Sequence, residues 1–193
     1  AALPPLAEQR MRGLASRTRP FLEQAELVII VAGLGGGTGT GASHEFARQA
    51  KLRGATVLSI AALPFDSQPT RKKIAEAEIQ RLEHHSDVCV QLSLERLARQ
   101  ARDRGKDWSM GSEWVEDLID GLVRTLLSMG LINLDLMDLR AIVEHKGGST
   151  MLVGTGHHEQ LEDLYNATIK APLAPMNVAG AKGCLLQIEG GLG

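Results

Sequence analysis

Aromatic side chains are scarce in this sequence: three phenylalanines, two tryptophans and one tyrosine among 193 residues. Surfaces that bind single-stranded nucleic acid stack bases on aromatic rings within a field of cations, and neither is offered here. The 21 lysines and arginines are outnumbered by 23 acidic residues and lie dispersed along the chain. Cysteine is scarcer still, at two, which excludes a disulfide framework or a zinc motif. Cys89 and Cys184 both fall in apolar runs that read as strands, where a free thiol behaves as a small hydrophobe. No apolar run approaches the roughly twenty residues that span a bilayer, and the opening AALPPLAEQR is not a signal peptide. These absences predict a soluble, cytoplasmic protein with no nucleic-acid partner and no insertion into a membrane. A methionine is also absent at the first position, which points to a trimmed chain or to a piece of something larger.

What the sequence does have is glycine, concentrated in GLGGGTGTGAS. Six of the nine residues from Gly33 to Gly41 are glycine and two others are threonine. A flexible linker would explain the composition but not the flanks. Upstream, LVIIVA (27–32) is an apolar, β-branched run of strand length; downstream, ASHEFARQAKL (42–52) has apolar residues at helical spacing. Glycines between a buried strand and a helix N-terminus suit anion binding, because the first helical amides lack intrahelical partners and the macrodipole is positive there. Bare glycines also let phosphate oxygens approach the main chain. Thr38 and Thr40 add hydroxyls able to donate to a phosphate or to face a magnesium ion. No cluster of side chains reads as a resident metal site: His84 with His85, and His157 with His158 and Glu159, lie at element ends and point apart.

The remaining pattern alternates. Residues 7–25 are helix-like but contain Pro20, which predicts a break there or the first turn of a second helix. Gly54 closes the helix after the glycine run, 55–63 is a second buried strand, Thr70 caps a charged amphipathic helix to about His84, and 88–92 is a third strand. A short helix at 95–102 and a polar loop at 102–111 follow. Residues 112–129 form a long helix whose apolar residues repeat in pairs every four positions. Another helix starts at Leu136, then come a strand at 150–156, a helix through Asn166 ended by Pro172, and a last strand at 181–191. Strands alternating with helices predict an α/β fold with a parallel, Rossmann-like sheet in the first half. The charged helix from Thr70 reads as a solvated outer face, and Trp108 and Trp114 as packing residues.

Three kinds of glycine loop compete for the phosphate. A P-loop requires a lysine that does not occur between Gly33 and Ala50. A dinucleotide fingerprint can be forced through Gly37, Gly39 and Ala42, but no acidic residue ends the next strand to hold a ribose; Asp66 comes late, beyond Pro64. The third is specific: GGGTGTG, comprising Gly35, Gly36, Gly37, Thr38, Gly39, Thr40 and Gly41, resembles the signature loop of the tubulin and FtsZ superfamily of self-assembling GTPases. GLINLDLMD (130–138) is similar to that family's catalytic loop, and it follows a long helix as the family's does. Pro64-Phe65, APL at 171–173 and GAKGCLLQIEGG at 180–191 extend the resemblance over nearly the whole chain, with wording that leans towards archaeal FtsZ.

The resemblance implies a GTP- or GDP-binding protein, with magnesium accompanying the nucleotide. It also implies head-to-tail self-assembly and hydrolysis at subunit junctions, among cell-division or cytoskeletal partners. Mapped by motif, Asp135 and Asp138 of one subunit orient water in the site of the next, and Asn133 orders their loop. Local sequence alone leaves a second reading open, in which NLDLMD only caps a helix. The family's nucleotide-contacting Glu and Arg fall on Gln68 and Lys72 here, its guanine-reading Asp on Glu113, and an Asn-Asp pair around Leu94 and Glu95. Residues 1–129 then correspond to the C-terminal half of the nucleotide domain with its central helix, and 130–193 to the catalytic loop and the start of a second α+β domain. The family's first strands and another glycine-rich loop should precede Ala1, so the piece alone is not expected to bind GTP tightly. Two alternatives remain: a divergent or truncated relative that meets filaments without hydrolysing nucleotide, and, more distantly, a nicotinamide-dependent dehydrogenase.

Overall fold

The three β-branched runs become the three strands of one parallel sheet. The computed structural model describes residues 3–103, 105, 113, 116, 119–120, 136–143, 160–169 and 179–184. Strands β1 (Leu27–Gly33), β2 (Thr56–Leu63) and β3 (Val88–Ser93) lie in the order β1-β2-β3. They pair in parallel from Leu27 opposite Thr56 to Gly33 opposite Ala62, and from Leu58 opposite Val88 to Leu63 opposite Ser93. Parallel neighbours need crossovers. Helix α3 (Thr38–Lys51) joins β1 to β2, and α4 (Pro69–His84) joins β2 to β3. The expected α/β architecture with a parallel sheet is therefore what forms.

Burial explains the composition of each strand. The middle strand β2 is buried along its first six residues, so its sequence is apolar or small throughout rather than alternating. Val28, Ile30 and Ala32 of β1, Val57 and Ala61 of β2 and Cys89 of β3 join Ala47 and Ala50 of α3 and Ala75 and Leu82 of α4 in one core. On the opposite face Leu58, Ile60, Val88, Val90 and Leu92 are buried as well, while Val31 stays exposed on β1. Cys89 sits in this interior as expected, and burial pushes its thiol up to about 12, which leaves it unreactive.

Two helices precede the sheet, but not with the expected break. Helix α1 (Pro4–Gly13) and helix α2 (Ala15–Leu22) divide at Leu14, and Pro20 lies inside α2. A proline six residues into a helix removes one backbone bond and no more, since α2 ends two residues later. The break at Leu14 lets α1 lie along α3 while Leu22 reaches the core. Helix α3 also begins earlier than Ala42, at Thr38, within the glycine run. Helix α5 spans Leu94–Asp103, α6 Leu136–Val143 and α7 Leu161–Ile169.

Of the expected long helix at 112–129, Glu113, Glu116, Ile119 and Asp120 are helical; the rest, the polar loop at 106–111 and the strand at 150–156 lie outside the described residues. Residues 181–184 are not strand, and Cys184 is exposed rather than packed in one. Among the described residues no helix is long and apolar enough to cross a membrane.

Candidate functional site

The glycine run turns at the carboxyl end of β1. Leu34 extends the ladder by donating its amide to the Ala62 carbonyl at 2.9 Å and is itself buried. Gly35 then takes φ +86°, a conformation that side chains rarely adopt, and a Cβ there would also lie 2.6 Å from the Arg71 carbonyl oxygen. Its amide donates to Thr40 Oγ1 at 2.9 Å. Thr40 is buried, so its hydroxyl braces the turn from inside, whereas Thr38 is exposed.

Other glycines in the run answer different needs. A Cβ on Gly39 would overlap the Gly33 carbonyl, and one on Gly41 would overlap the Pro4 carbonyl of α1. Both are required for close packing. At Gly36 a Cβ would meet nothing within 4 Å. That open side is where a ligand can approach the main chain. Gly37 is the N-cap of α3 and supplies no side-chain cap, and the first closing bond runs from the Gly41 amide to the Gly37 carbonyl at 2.9 Å. The amides of Thr38, Gly39 and Thr40 precede any intrahelical acceptor, so they and the positive end of the α3 dipole are available to an anion.

A second helix N-terminus meets the same turn. Gln68 is the N-cap of α4 and Pro69 its first residue, a position where a missing N–H costs nothing. The close approach of Arg71 to Gly35 places the first turn of α4 against the glycine run. Arg71 Nη1 donates to Gln68 Oε1 at 3.3 Å, and among the described residues no carboxylate pairs with this guanidinium. Lys72, the residue singled out by motif, is instead paired with Asp66 at 2.6 Å, and that hydrogen bond and charge raise its pKa. Motif spacing points to Lys72, whereas the residue whose backbone meets Gly35 is Arg71. The usable signal was the helix start at Pro69, because consecutive helical residues differ by about 100° and only one can face the turn.

Behind the loop a polar network fixes α3 to its neighbours. Glu45 of α3 is buried and accepts from Arg48 at 2.7 and 2.9 Å, from Gln49 at 3.1 Å and from Arg12 of α1 at 3.3 Å. Burial pushes its carboxyl up, but these donors outweigh burial and hold it at about 2. Neighbouring His44 is buried with Nε2 lacking a hydrogen-bond partner, 3.5 Å from Glu8 and 3.8 Å from Glu78. Burial first, and the Arg81 charge second, lower its pKa and keep it neutral. Arg81 of α4 reaches Glu8 of α1 at 2.9 Å. Three helices are thus clamped around the turn.

Asp138 lies at the other end of the sheet. Asp138 is exposed in the first turn of α6; Asn133 and Asp135 lie outside the described residues. Arg140 of the same helix donates from Nε to Thr56 Oγ1 at 2.8 Å and from Nη2 to the Gly54 carbonyl at 3.1 Å. Gly54 and Thr56 stand at the amino end of β2, next to a shallow cleft of about 560 Å³ lined by Glu23, Glu26, Arg53, Met137 and Arg140 among others. Since β1 and β2 are parallel, the glycine turn leaves from their carboxyl ends, about 20 Å away along a seven-residue strand. The structure does not bring Asp138 to its own glycine loop. Glu113 is helical and exposed, with its neighbours outside the described residues. His84 and His85 end α4 with their rings edge to face, and no group of three or more potential metal ligands occurs among the described residues.

A model of the Tubulin/FtsZ family, GTPase domain, matches residues 4–102. Cell division protein FtsZ 2 of Haloferax volcanii is 31% identical over 191 residues, covering 97% of this chain and 48% of the relative. Cell division protein FtsZ 1 of Pyrococcus abyssi is 31% identical over 193 residues, covering 97% and 51%. Among solved structures, an empty FtsZ dimer from M. jannaschii matches with a TM-score of 0.75 at 26% identity, over 89% of this chain and 51% of that one. CetZ from Methanosaeta thermophila, at 19% identity and a TM-score of 0.62 over 84% and 50%, shares the fold. The chain spans about half the length of the curated relatives it matches.

Proposed function

The chain belongs to the Tubulin/FtsZ family, GTPase domain, and from that premise we propose that it is part of an FtsZ-like GTPase that assembles head to tail and hydrolyses GTP where two copies meet. The observation that carries this reading is the separation of Asp138 from the glycine run. An acid at the amino ends of the strands cannot reach a phosphate at their carboxyl ends within one copy, but copies stacked in one direction bring the two together.

The chemistry follows from that stacking. The uncapped amides of Thr38, Gly39 and Thr40, the open side of Gly36 and the guanidinium of Arg71 hold the β- and γ-phosphates. Phosphoryl transfer is catalysed mainly by positioning and charge stabilisation, so the incoming residues need only orient a water in line with the γ-phosphate. The carboxylate of Asp138 accepts the hydrogen bond of that water, with Asp135 and Asn133 assigned to the same task by motif. Magnesium prefers phosphate oxygens and retained waters over an all-protein cage, which suits a site offering the exposed Thr38 hydroxyl. Glu113 retains a carboxylate that can accept from the N–H groups of guanine. Residues 130–193 then begin the second domain, and the assembly works in the cytoplasm with other copies of itself and with cell-division or cytoskeletal partners.

One observation favours a second reading, a relative that joins filaments without turnover: Lys72 is committed to Asp66, and Gln68 carries no charge. Phosphate release and light scattering, measured on the full-length protein with GTP, GDP and NADH, separate the readings. Turnover rising steeply with protein concentration supports hydrolysis at junctions, and binding without turnover supports the second. Asp138→Ala is expected to abolish hydrolysis under assembling conditions while leaving nucleotide binding nearly intact; unchanged turnover refutes the assignment.

A further inference from the structure

We propose that Arg140 is a positioning residue that aims the Asp138 carboxylate outward from the foot of β2; the inference rests on the proposed junction chemistry and deepens it. Arg140 spans 84 and 86 residues of sequence to reach Thr56 Oγ1 and the Gly54 carbonyl. Both acceptors are fixed. Thr56 is the buried first residue of the central strand, and Gly54 takes φ +82°, which turns the chain between α3 and β2. Two donors on one rigid guanidinium plane, meeting two fixed acceptors, set both the position and the rotation of α6.

That rotation matters for Asp138. Residues two apart on an α-helix differ by about 200° and about 3 Å of rise. With Arg140 turned to the sheet, Asp138 two residues earlier is turned away from it, in accord with its exposure. The carboxylate therefore faces outward, towards whatever lies beyond the amino ends of the strands. A lysine at 140 would keep the charge but not the fork, and could not hold the helix against rotation.

The test uses the full-length protein, with turnover counted per polymerised subunit and GTP affinity measured on unassembled protein. Arg140→Ala is expected to lower kcat about ten- to hundredfold, the effect of misplacing a reacting group by about an ångström, with unchanged GTP affinity. Arg140→Lys should retain most of that loss. Thr56→Val, which keeps the β-branched shape and removes only the hydroxyl acceptor, should show a smaller loss of the same kind, and the double variant should be no worse than Arg140→Ala alone. If Arg140→Ala does not fold, Thr56→Val carries the comparison. Wild-type kcat in both Arg140→Ala and Thr56→Val, losses that multiply in the double variant, or a loss confined to GTP affinity overturns the role. Asp138→Ala run alongside separates the two failures: if it keeps wild-type turnover the junction chemistry itself is wrong, whereas a dead Asp138→Ala beside a fully active Arg140→Ala removes only the positioning role.

Discussion

Placing a single methyl group on Gly36 separates binding from folding. A Cβ at this position meets no protein atom within 4 Å, and its φ is not in the left-handed range. Gly36→Ala should therefore leave stability unchanged or raise it by about 0.4–1 kcal/mol, because the unfolded chain loses freedom. The same methyl would stand where a phosphate oxygen approaches the main chain. Losing one charge-assisted hydrogen bond costs about 1.5–3 kcal/mol, or about a ten- to hundredfold rise in the Kd for GTP. Gly41→Ala is the converse control. Its Cβ would overlap the Pro4 carbonyl, forcing α1 off α3 and costing about 1–3 kcal/mol of stability. Denaturant unfolding and GTP titration of both full-length variants give the comparison. A Gly36→Ala protein that binds GTP like wild type would show that the phosphates do not lie over this turn, and the reading of the loop would fall with it.

Two further outcomes follow from the clamp and the helix starts. Glu45 has its carboxyl lowered from 4.5 to about 2 in the folded protein, so the stability it supplies is present above pH 4.5 and is lost as pH falls towards 2. The full shift corresponds to about 3 kcal/mol, reduced to about 1–2 by water at the exposed ends of Arg12 and Arg48. Glu45→Gln should lose that amount at pH 7 and unfold with a flatter acid limb; an unchanged acid titration of stability contradicts it. His44, held neutral by burial, adds in the same direction, since its protonation below pH 6.5 also favours the unfolded chain. Arg71→Ala should raise the Kd for GTP about tenfold or more, while Lys72→Ala, already engaged by Asp66, changes it less than about threefold; the reverse order in isothermal titration returns the role to Lys72.

The three strands of the sheet were readable because β-branched apolar runs have few other uses, and the middle one was the plainest since both its faces are buried, whereas the run from Ala181 is not strand through Cys184. The glycine run was readable as a loop but not in its parts. Sequence assigns the whole run to a ligand; at Gly39 and Gly41 the missing side chain also admits the Gly33 and Pro4 carbonyls, and Gly35 also makes a left-handed turn. Those reasons are tertiary and leave no local trace. The break at Leu14 was missed in favour of Pro20 for a similar cause: docking of α1 on α3 decided where the chain bends. Whether Lys72 or Arg71 lies against the glycine turn depends on where α4 begins, a matter of one residue. That the acid and the loop sit at opposite ends follows from strand direction together with the reach of Arg140, which no motif spells out.

Under the proposed junction chemistry, the opposed placement of the glycine loop and Asp138 makes every working centre the joint property of two molecules. An array built this way has unlike tips, one offering an unfilled nucleotide pocket and the other an idle carboxylate, so growth at the two tips need not be equal. It also makes damage contagious, since a defective copy silences a healthy neighbour without competing for GTP. Conversely, equimolar Gly36→Ala and Asp138→Ala proteins, one weakened in GTP binding and the other in hydrolysis, would form an intact pairing at about one contact in four if they mix at random along the array.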